Sequence, residues 1–367
     1  MIHYGDIRNL SGKRLPVVDI ITGGSPCQDL SIAGKRSGIK GEQSGLFMDQ
    51  IRIIREMRDL TDGASPRFMV WENVPGALSS NKGEDFRIVL SETVRITDPT
   101  AVIPGSEKWA PSGCVLGDGW SIAWRIHDAK FWGVPQHRKR IALVADFTGG
   151  SAPEILFERK SLQRRAQEGR EEKGASANDN GKGFNKASAP MIFDARGNGD
   201  GETATTLTGD HERRITDYTN IICINGDIAG TLDANYFKGC GSRGDIEREI
   251  ILACDGVRRL TPTECERLQG YPDGWTDIGD WTDDKGRKRK TTDSARYKVL
   301  GNSLALPFWE WMAARIISRL NKAAPTMGSL FDGIGGFPLV FSRNRCLPLW
   351  ASEVDDFAIA VTKSRFP

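Results

Sequence analysis

The chain has 367 residues, 39% of them hydrophobic and 27% charged, the composition of a globular protein large enough for one core plus a second lobe. No apolar run approaches the roughly 20 residues that span a bilayer, and Met1 to Asp6 carry neither the basic start nor the apolar stretch of a secretory leader, so a cytoplasmic protein with no membrane role is expected. A net charge of +2 says nothing for or against nucleic acid as a total, and 7 cysteines without a Cys-x-x-Cys pair, beside only 4 histidines, argue against a zinc or disulfide framework.

Apolar, β-branched runs at Val17 to Thr22, Phe68 to Trp71 and Ile141 to Ala145 are bounded by Gly, Pro or Asp and fit buried parallel strands. Between the first two, Phe47, Ile51, Ile54 and Met57 recur at helical spacing in Leu46 to Leu60, which predicts a crossover helix. From about Phe147 to Asp255 the composition turns to Gly, Thr, Asn and Asp, with a charged stretch from Glu158 to Lys173 and a polar one from Gly174 to Ala189, so a different lobe is expected there. Within it, Ala204 to Leu207 leading to Ile221 to Cys223 is weakly echoed by Ala229 to Leu232 leading to Ile250 to Leu252. Compact structure then returns: Thr261-Pro-Thr-Glu264 reads as a capping box and Leu306 to Leu320 as an amphipathic helix. After a linker at Asn321 to Thr326, the segment Met327 to Pro367 reads as strand, Gly-rich turn, helix, strand and short helix.

Cys27, in Gly23-Gly-Ser-Pro-Cys-Gln-Asp-Leu-Ser31, directly follows a strand, where loops of an open parallel sheet form the ligand crevice. Lys35 and Arg36 make its loop electropositive, which favours a nucleophilic thiolate; taken alone the residue reads equally as a buried structural thiol. Glu72 ends the next strand and would face the same crevice, as an acid beside the nucleophile or as a carboxylate bound to its own turn. Gln136, Arg138 and Arg140 alternate, so all three face one side, suited to an anionic or polarised carbonyl group or to a solvated edge. Leu330-Phe-Asp-Gly-Ile-Gly-Gly-Phe337 joins a strand to a helix, and Glu353 follows after a second strand, an arrangement that lets a ligand approach backbone and places a carboxylate for a ribose diol. That turn does not separate a dinucleotide from S-adenosylmethionine. Lys285-Gly-Arg-Lys-Arg-Lys290 reads as a phosphate grip or a solvated loop.

Together these segments resemble the C5-cytosine-specific DNA methyltransferase family over nearly all of the chain except the middle lobe. Pro26-Cys27-Gln28 is similar to its catalytic loop, Glu72-Asn73-Val74 to its acid motif, Gln136-His-Arg138-Lys-Arg140 to its Gln-x-Arg-x-Arg motif, and Phe331 to Gly336 to its cofactor motif. Arg259 to Glu264, Gln269 to Pro272 and Gly301-Asn302-Ser303 complete the set. The cofactor motif ordinarily comes first; here it comes last, so the order looks circularly permuted, Met327 looks like an internalised start, and Met1 and Pro367 are expected side by side.

The resemblance implies an α/β, Rossmann-like S-adenosylmethionine-dependent methyltransferase fold, mostly parallel with helices on both faces, plus a smaller β-rich target-recognition lobe. It divides the chain into 1–146 and 258–320 of the catalytic domain, 147–257 for target recognition, a linker at 321–326 and a cofactor-binding part at 327–367. It implies catalytic roles for Cys27, Glu72, Arg138 and Arg140, and contacts to S-adenosyl-L-methionine by Phe331, Asp332, Gly333, Gly335, Gly336, Glu353, Val354, Asp6, Ile7, Pro26, Leu46 and Asn302. Gln28, Ser31, Asn73 and Gln136 would meet the substrate, a cytosine flipped out of double-stranded DNA, with no metal required. Ser25 stands where Phe is common in the family, which questions how the loop packs. A monomer is expected, of restriction-modification or phage type, with a cognate restriction endonuclease as partner in the first case. A tRNA methyltransferase, a non-catalytic DNA-binding homologue and a nicotinamide oxidoreductase are rival readings; the last leaves the cysteine and arginine motifs unexplained.

Overall fold

The computed structural model describes residues 1–25, 45–157, 191–193, 221–223, 250–253 and 256–367. Its strands are β1 (Ile2–Tyr4), β2 (Ile20–Gly23), β3 (Phe68–Asn73), β4 (Ser112–Gly117), β5 (Trp120–Asp128), β6 (Lys139–Asp146), β7 (Met191–Phe193), β8 (Ile221–Cys223), β9 (Ile250–Ala253), β10 (Gly256–Arg259), β11 (Asp280–Thr282), β12 (Lys288–Lys290), β13 (Thr326–Leu330) and β14 (Leu347–Ser352). The helices used below are α1 (Leu46–Leu60), α2 (Glu84–Val94), α3 (Ala152–Leu156), α4 (Pro262–Gln269), α5 (Asp293–Asn302), α6 (Leu306–Ile317), α7 (Gly336–Arg343) and α8 (Asp356–Arg365). Among the described residues, no helix is long and apolar enough to cross a membrane.

Eight strands form one sheet in the order β1-β14-β13-β2-β3-β6-β5-β4. The first five are parallel, whereas β6 is antiparallel to both β3 and β5. This corrects the expectation of a parallel strand at Ile141 to Ala145: an uninterrupted apolar run reports burial on both faces and carries no information on direction. Alternation along the strands splits the core in two. Ile20, Phe68, Val70, Ala142 and Val144 pack with α3, α6 and α7 on one face; Ile21, Met69, Trp71 and Leu143 pack with α1 and α2 on the other. The periodic residues Phe47, Ile51, Ile54 and Met57 are all buried in α1, and Ala152, Ile155 and Leu156 place α3 in the core of the sheet.

The chain order and the spatial order differ as the permuted reading expects. β13 and β14, from the end of the chain, lie between β1 and β2, from its beginning. The Met1 ammonium lies 3.4 Å from the Phe366 carbonyl oxygen and 3.5 Å from that of Pro367. The sheet order reverses between β13 and β2, and in open α/β sheets ligands bind outside the carboxyl ends of strands at such a point. The expected capping box is present, with Thr261 accepting from the Glu264 amide and Glu264 accepting from the Thr261 amide. The basic run is a hairpin of β11 and β12, docked on α8 through Trp281 and Phe357, whose rings are 5.4 Å apart. Of the middle lobe, β7 pairs antiparallel with β8 and β9 with β10; the segments 158–190, 204–207 and 229–232 lie outside the described residues.

Candidate active site

Tyr4, Ser352, Leu330, Gly23 and Trp71 form one continuous row across the five parallel strands. The next residue on each strand is Gly5, Glu353, Phe331, Gly24 and Glu72. Register alone therefore gathers the carboxylates, the Gly-rich turn and the chain leading to Cys27 along one edge of the sheet. Cys27 itself, with Pro26, Gln28, Ser31, Lys35 and Arg36, lies outside the described residues.

At the β2–β3 end, Arg140 Nε donates to Glu72 Oε1 at 2.9 Å, with both side chains mostly buried. A Cβ placed on Gly24 would lie 3.0 Å from Glu72 Oε2, so the chain entering the Cys27 segment passes directly over this carboxylate. Ser25 is buried; its Oγ accepts from Trp71 Nε1 at 3.0 Å, and Asn73 Nδ2 approaches its Oγ and its carbonyl oxygen at 3.4 Å. These bonds answer the question Ser25 raised, because a small hydroxyl anchors the loop by hydrogen bonding where a larger ring would fill space. Asn73, whose Oδ1 accepts from the Val74 amide at 2.8 Å, thereby supports the loop as well as the turn.

Gln136 and Arg138 are buried, His137 and Lys139 exposed, and Arg140 mostly buried, so the predicted alternation is present. Arg138 donates to the carbonyl oxygens of Gly301 (3.0 Å) and Ser303, tying β6 to the loop after α5. The Gln136 amide has no hydrogen-bond partner among the described residues, an unsatisfied buried group of the kind found where a ligand completes a site. Asp128 closes the base of this segment, accepting from His137 Nδ1 at 3.0 Å and the Arg138 amide at 2.9 Å; these bonds hold its carboxyl below the usual carboxylate range against the opposing effect of burial. Nothing in the local sequence marked Asp128 for this role, because His137 and Arg138 are nine and ten residues away.

At the β13–β14 end, Glu353 Oε2 accepts from the Gly333 amide at 2.8 Å and Oε1 from the amides of Val354 (2.7 Å) and Asp355 (3.0 Å). One carboxylate thus joins the Gly-rich turn to the start of α8. Gly333 has φ +58° with open space where a Cβ would point, whereas a Cβ on Gly336 would lie 2.5 Å from the Tyr271 hydroxyl. The first glycine leaves room for a ligand and the second admits a neighbouring side chain. Asp332 is buried, with Oδ2 accepting from Thr362 Oγ1 at 3.2 Å and Oδ1 without a hydrogen-bond partner among the described residues. Burial, with the nearby charge of Glu353, raises its pKa to about 7.

Val354 is exposed beside Glu353, Phe331 is half-buried with φ +54°, Leu46 opens α1 half-buried, and Asn302 is exposed at the end of α5. Asp6 caps the turn Ile7–Asn9 and pairs with Arg8. The Ile7 side chain is in the core, so only its backbone is available to a ligand.

A family model described as C-5 cytosine-specific DNA methylase matches residues 1–95 and 116–318. Among similar curated proteins, the DNA N-6-adenine-methyltransferase of Escherichia phage P1 is 27% identical over 97% of this chain and 62% of its own length. Type II methyltransferase M1.ScrFI of Lactococcus lactis subsp. cremoris is 26% identical over 87% of this chain and 67% of its own. The chain spans roughly two thirds of the length of the curated relatives it matches first. The crystal structure of the S. pombe Dnmt2 methyltransferase aligns over 86% of this chain and 84% of its own at 16% identity, with a TM-score of 0.45. With the model matched over most of its length, the chain belongs to the C-5 cytosine-specific DNA methylase family.

Proposed function

We propose that this protein is a DNA (cytosine-5-)-methyltransferase that uses S-adenosyl-L-methionine to methylate a cytosine flipped out of a specific double-stranded sequence. The observation that carries this reading is the single row of strand ends, with the Glu72–Arg140 pair under the chain leading to Cys27 at one end and the Gly333–Glu353 turn at the other. The family match covers the first of these ends, and strand register joins the second to it.

The described residues suit the cofactor. Open space at Gly333, exposed Val354 and the Glu353 carboxylate form a cradle, to which the reading adds Phe331, Asp332, Gly335, Gly336, Asp6, the Ile7 backbone, Leu46 and Asn302 as further contacts, with Pro26 from the segment beyond Ser25. When bound, S-adenosylmethionine supplies an electrophilic methyl group. On the target side, the Cys27 thiolate adds to C6 of the ring, and the electron pair displaced makes C5 nucleophilic. Glu72, oriented by Arg140, holds the exocyclic amino group and shares a proton with N3. Once C5 carries the methyl group, loss of its proton to solvent breaks the bond from C6 to Cys27 and restores the aromatic ring. Arg138 holds the loop at Gly301 to Ser303 beneath the base, Gln136 and Asn73 support the pocket, and Gln28 and Ser31 line the catalytic loop.

In this reading the part of residues 147–257 that follows α3 reads the DNA sequence, α3 itself being packed in the sheet core; the enzyme is a cytoplasmic monomer, and the type II naming of M1.ScrFI supports a restriction endonuclease as genomic partner. The test is to incubate the protein with labelled S-adenosylmethionine and DNA of mixed sequence, digest to nucleosides, and map sites by bisulfite sequencing. Label in 5-methylcytosine at a defined sequence is expected. Label only in N6-methyladenine, the product named for the phage P1 relative, or none in DNA, overturns it.

A further inference from the structure

The loop joining β5 to β6 lies on the crevice edge. β6 runs antiparallel to β3 with Ile141 opposite Asn73, so Lys139 and Arg140 extend beyond the end of β3, and Asp128 lies opposite Lys139. The loop is firmly built. Trp132 is packed within 4.9 Å, centroid to centroid, of both Phe308 and Trp311, Gly133 makes the turn with φ +99°, and Asp128 binds His137 and the Arg138 amide at its far end.

On this rigid support the neighbouring Phe131 is 66% exposed, with Lys130 Nζ 4.7 Å from its ring. Lys130 Nζ also lies 3.5 Å from His137 Nε2, and neither Lys130 nor Lys139 pairs with a carboxylate among the described residues. Trp132 anchors the loop to the core, whereas Phe131 is exposed beside it with the Lys130 ammonium at its ring; an exposed ring flanked by a cation is how proteins grip bases and phosphates. Lys130 suits an anionic partner, and the loop is continuous with the Glu72–Arg140 pair, which favours a nucleic acid over a protein surface.

Resting on the DNA-methyltransferase reading, we propose that Phe131 and Lys130 form a DNA contact at the rim of the crevice, the ring against the face of a nucleotide beside the flipped cytosine and the ammonium on a flanking phosphate. The proteins are titrated with a duplex carrying the mapped site, or with duplex of mixed sequence where no site is methylated, followed by fluorescence anisotropy at several salt concentrations without cofactor, and single-turnover methyl transfer is measured in parallel. Phe131→Ala should weaken binding about 10-fold and Phe131→Trp should restore it; Lys130→Ala should reduce the slope of log K against log salt by about 1. Wild-type binding by both alanine variants at every salt concentration, or no recovery in Phe131→Trp, overturns the proposal. A wild-type protein that binds DNA but transfers no methyl sinks the functional reading and leaves the contact to be decided by the same titrations. A wild-type protein that binds no DNA sinks both.

Discussion

At the β13–β14–β1 end of the crevice, one carboxylate, Glu353, gathers three backbone amides within 21 residues of itself. At the β2–β3–β6 end, side chains reach across the sequence: Arg140 to Glu72, Asn73 and Trp71 to Ser25, and Arg138 over 163 residues to Gly301. The first end is shaped by local backbone and is expected to keep its ligand after most single substitutions elsewhere. The second is a set of long-range side-chain bonds, each of which one substitution removes. Cofactor binding and base chemistry should accordingly be separable by mutation.

The sharpest separation is Cys27→Ala, expected to lower methyl transfer by about a thousandfold or more while S-adenosylmethionine binding, measured by calorimetry, is retained; full activity would remove Cys27 from the mechanism. Glu72→Gln should lower single-turnover transfer by about a hundredfold, with cofactor affinity again unchanged. Arg138→Met leaves buried carbonyl oxygens at Gly301 and Ser303 without their charged donor, and should reduce unfolding stability by about 3 kcal/mol in a denaturant titration.

Asp332 tests the cofactor end. Its pKa of about 7 exceeds the ordinary carboxylate value, so the folded protein keeps a proton that the unfolded chain has lost, and stability falls as pH rises from the carboxylate range to about 7. Asp332→Asn should abolish that slope in melts followed between pH 5 and 8. The smallest effect belongs to the β11–β12 hairpin. Arg287 and Arg289 are tied to Asp283, so replacing Lys285, Lys288 and Lys290 by Ala should weaken DNA binding alike for all sequences and lower its salt slope by about 1 for each phosphate that a lysine no longer neutralises.

Much of the cofactor end was legible in the sequence because it is local. A strand, a Gly-rich turn, a helix and Glu353 fall within 30 residues, and hydrophobic period and turn chemistry report at that range. The target end was legible as separate motifs whose meeting came from family resemblance. Its physical coupling was not: the direction of β6 depends on partners far along the chain, β4 and β5 escaped notice although Gly117-Asp-Gly119 marks their turn, and neither the burial of Ser25 nor the role of Asp128 has a local signal. The permuted order was legible as motif order, and the approach of Met1 to the carbonyls of Phe366 and Pro367 gives it a spatial counterpart.

That order has a consequence for synthesis. β2 emerges from the ribosome early, yet one of its two sheet neighbours, β13, is made some 300 residues later, and β1 has no partner until β14 follows. Throughout that interval the centre of the sheet has a bare edge, the kind of surface that recruits other chains. The strands that carry Gly24 and Glu72 must wait for those that carry Phe331 and Glu353 before the sheet closes.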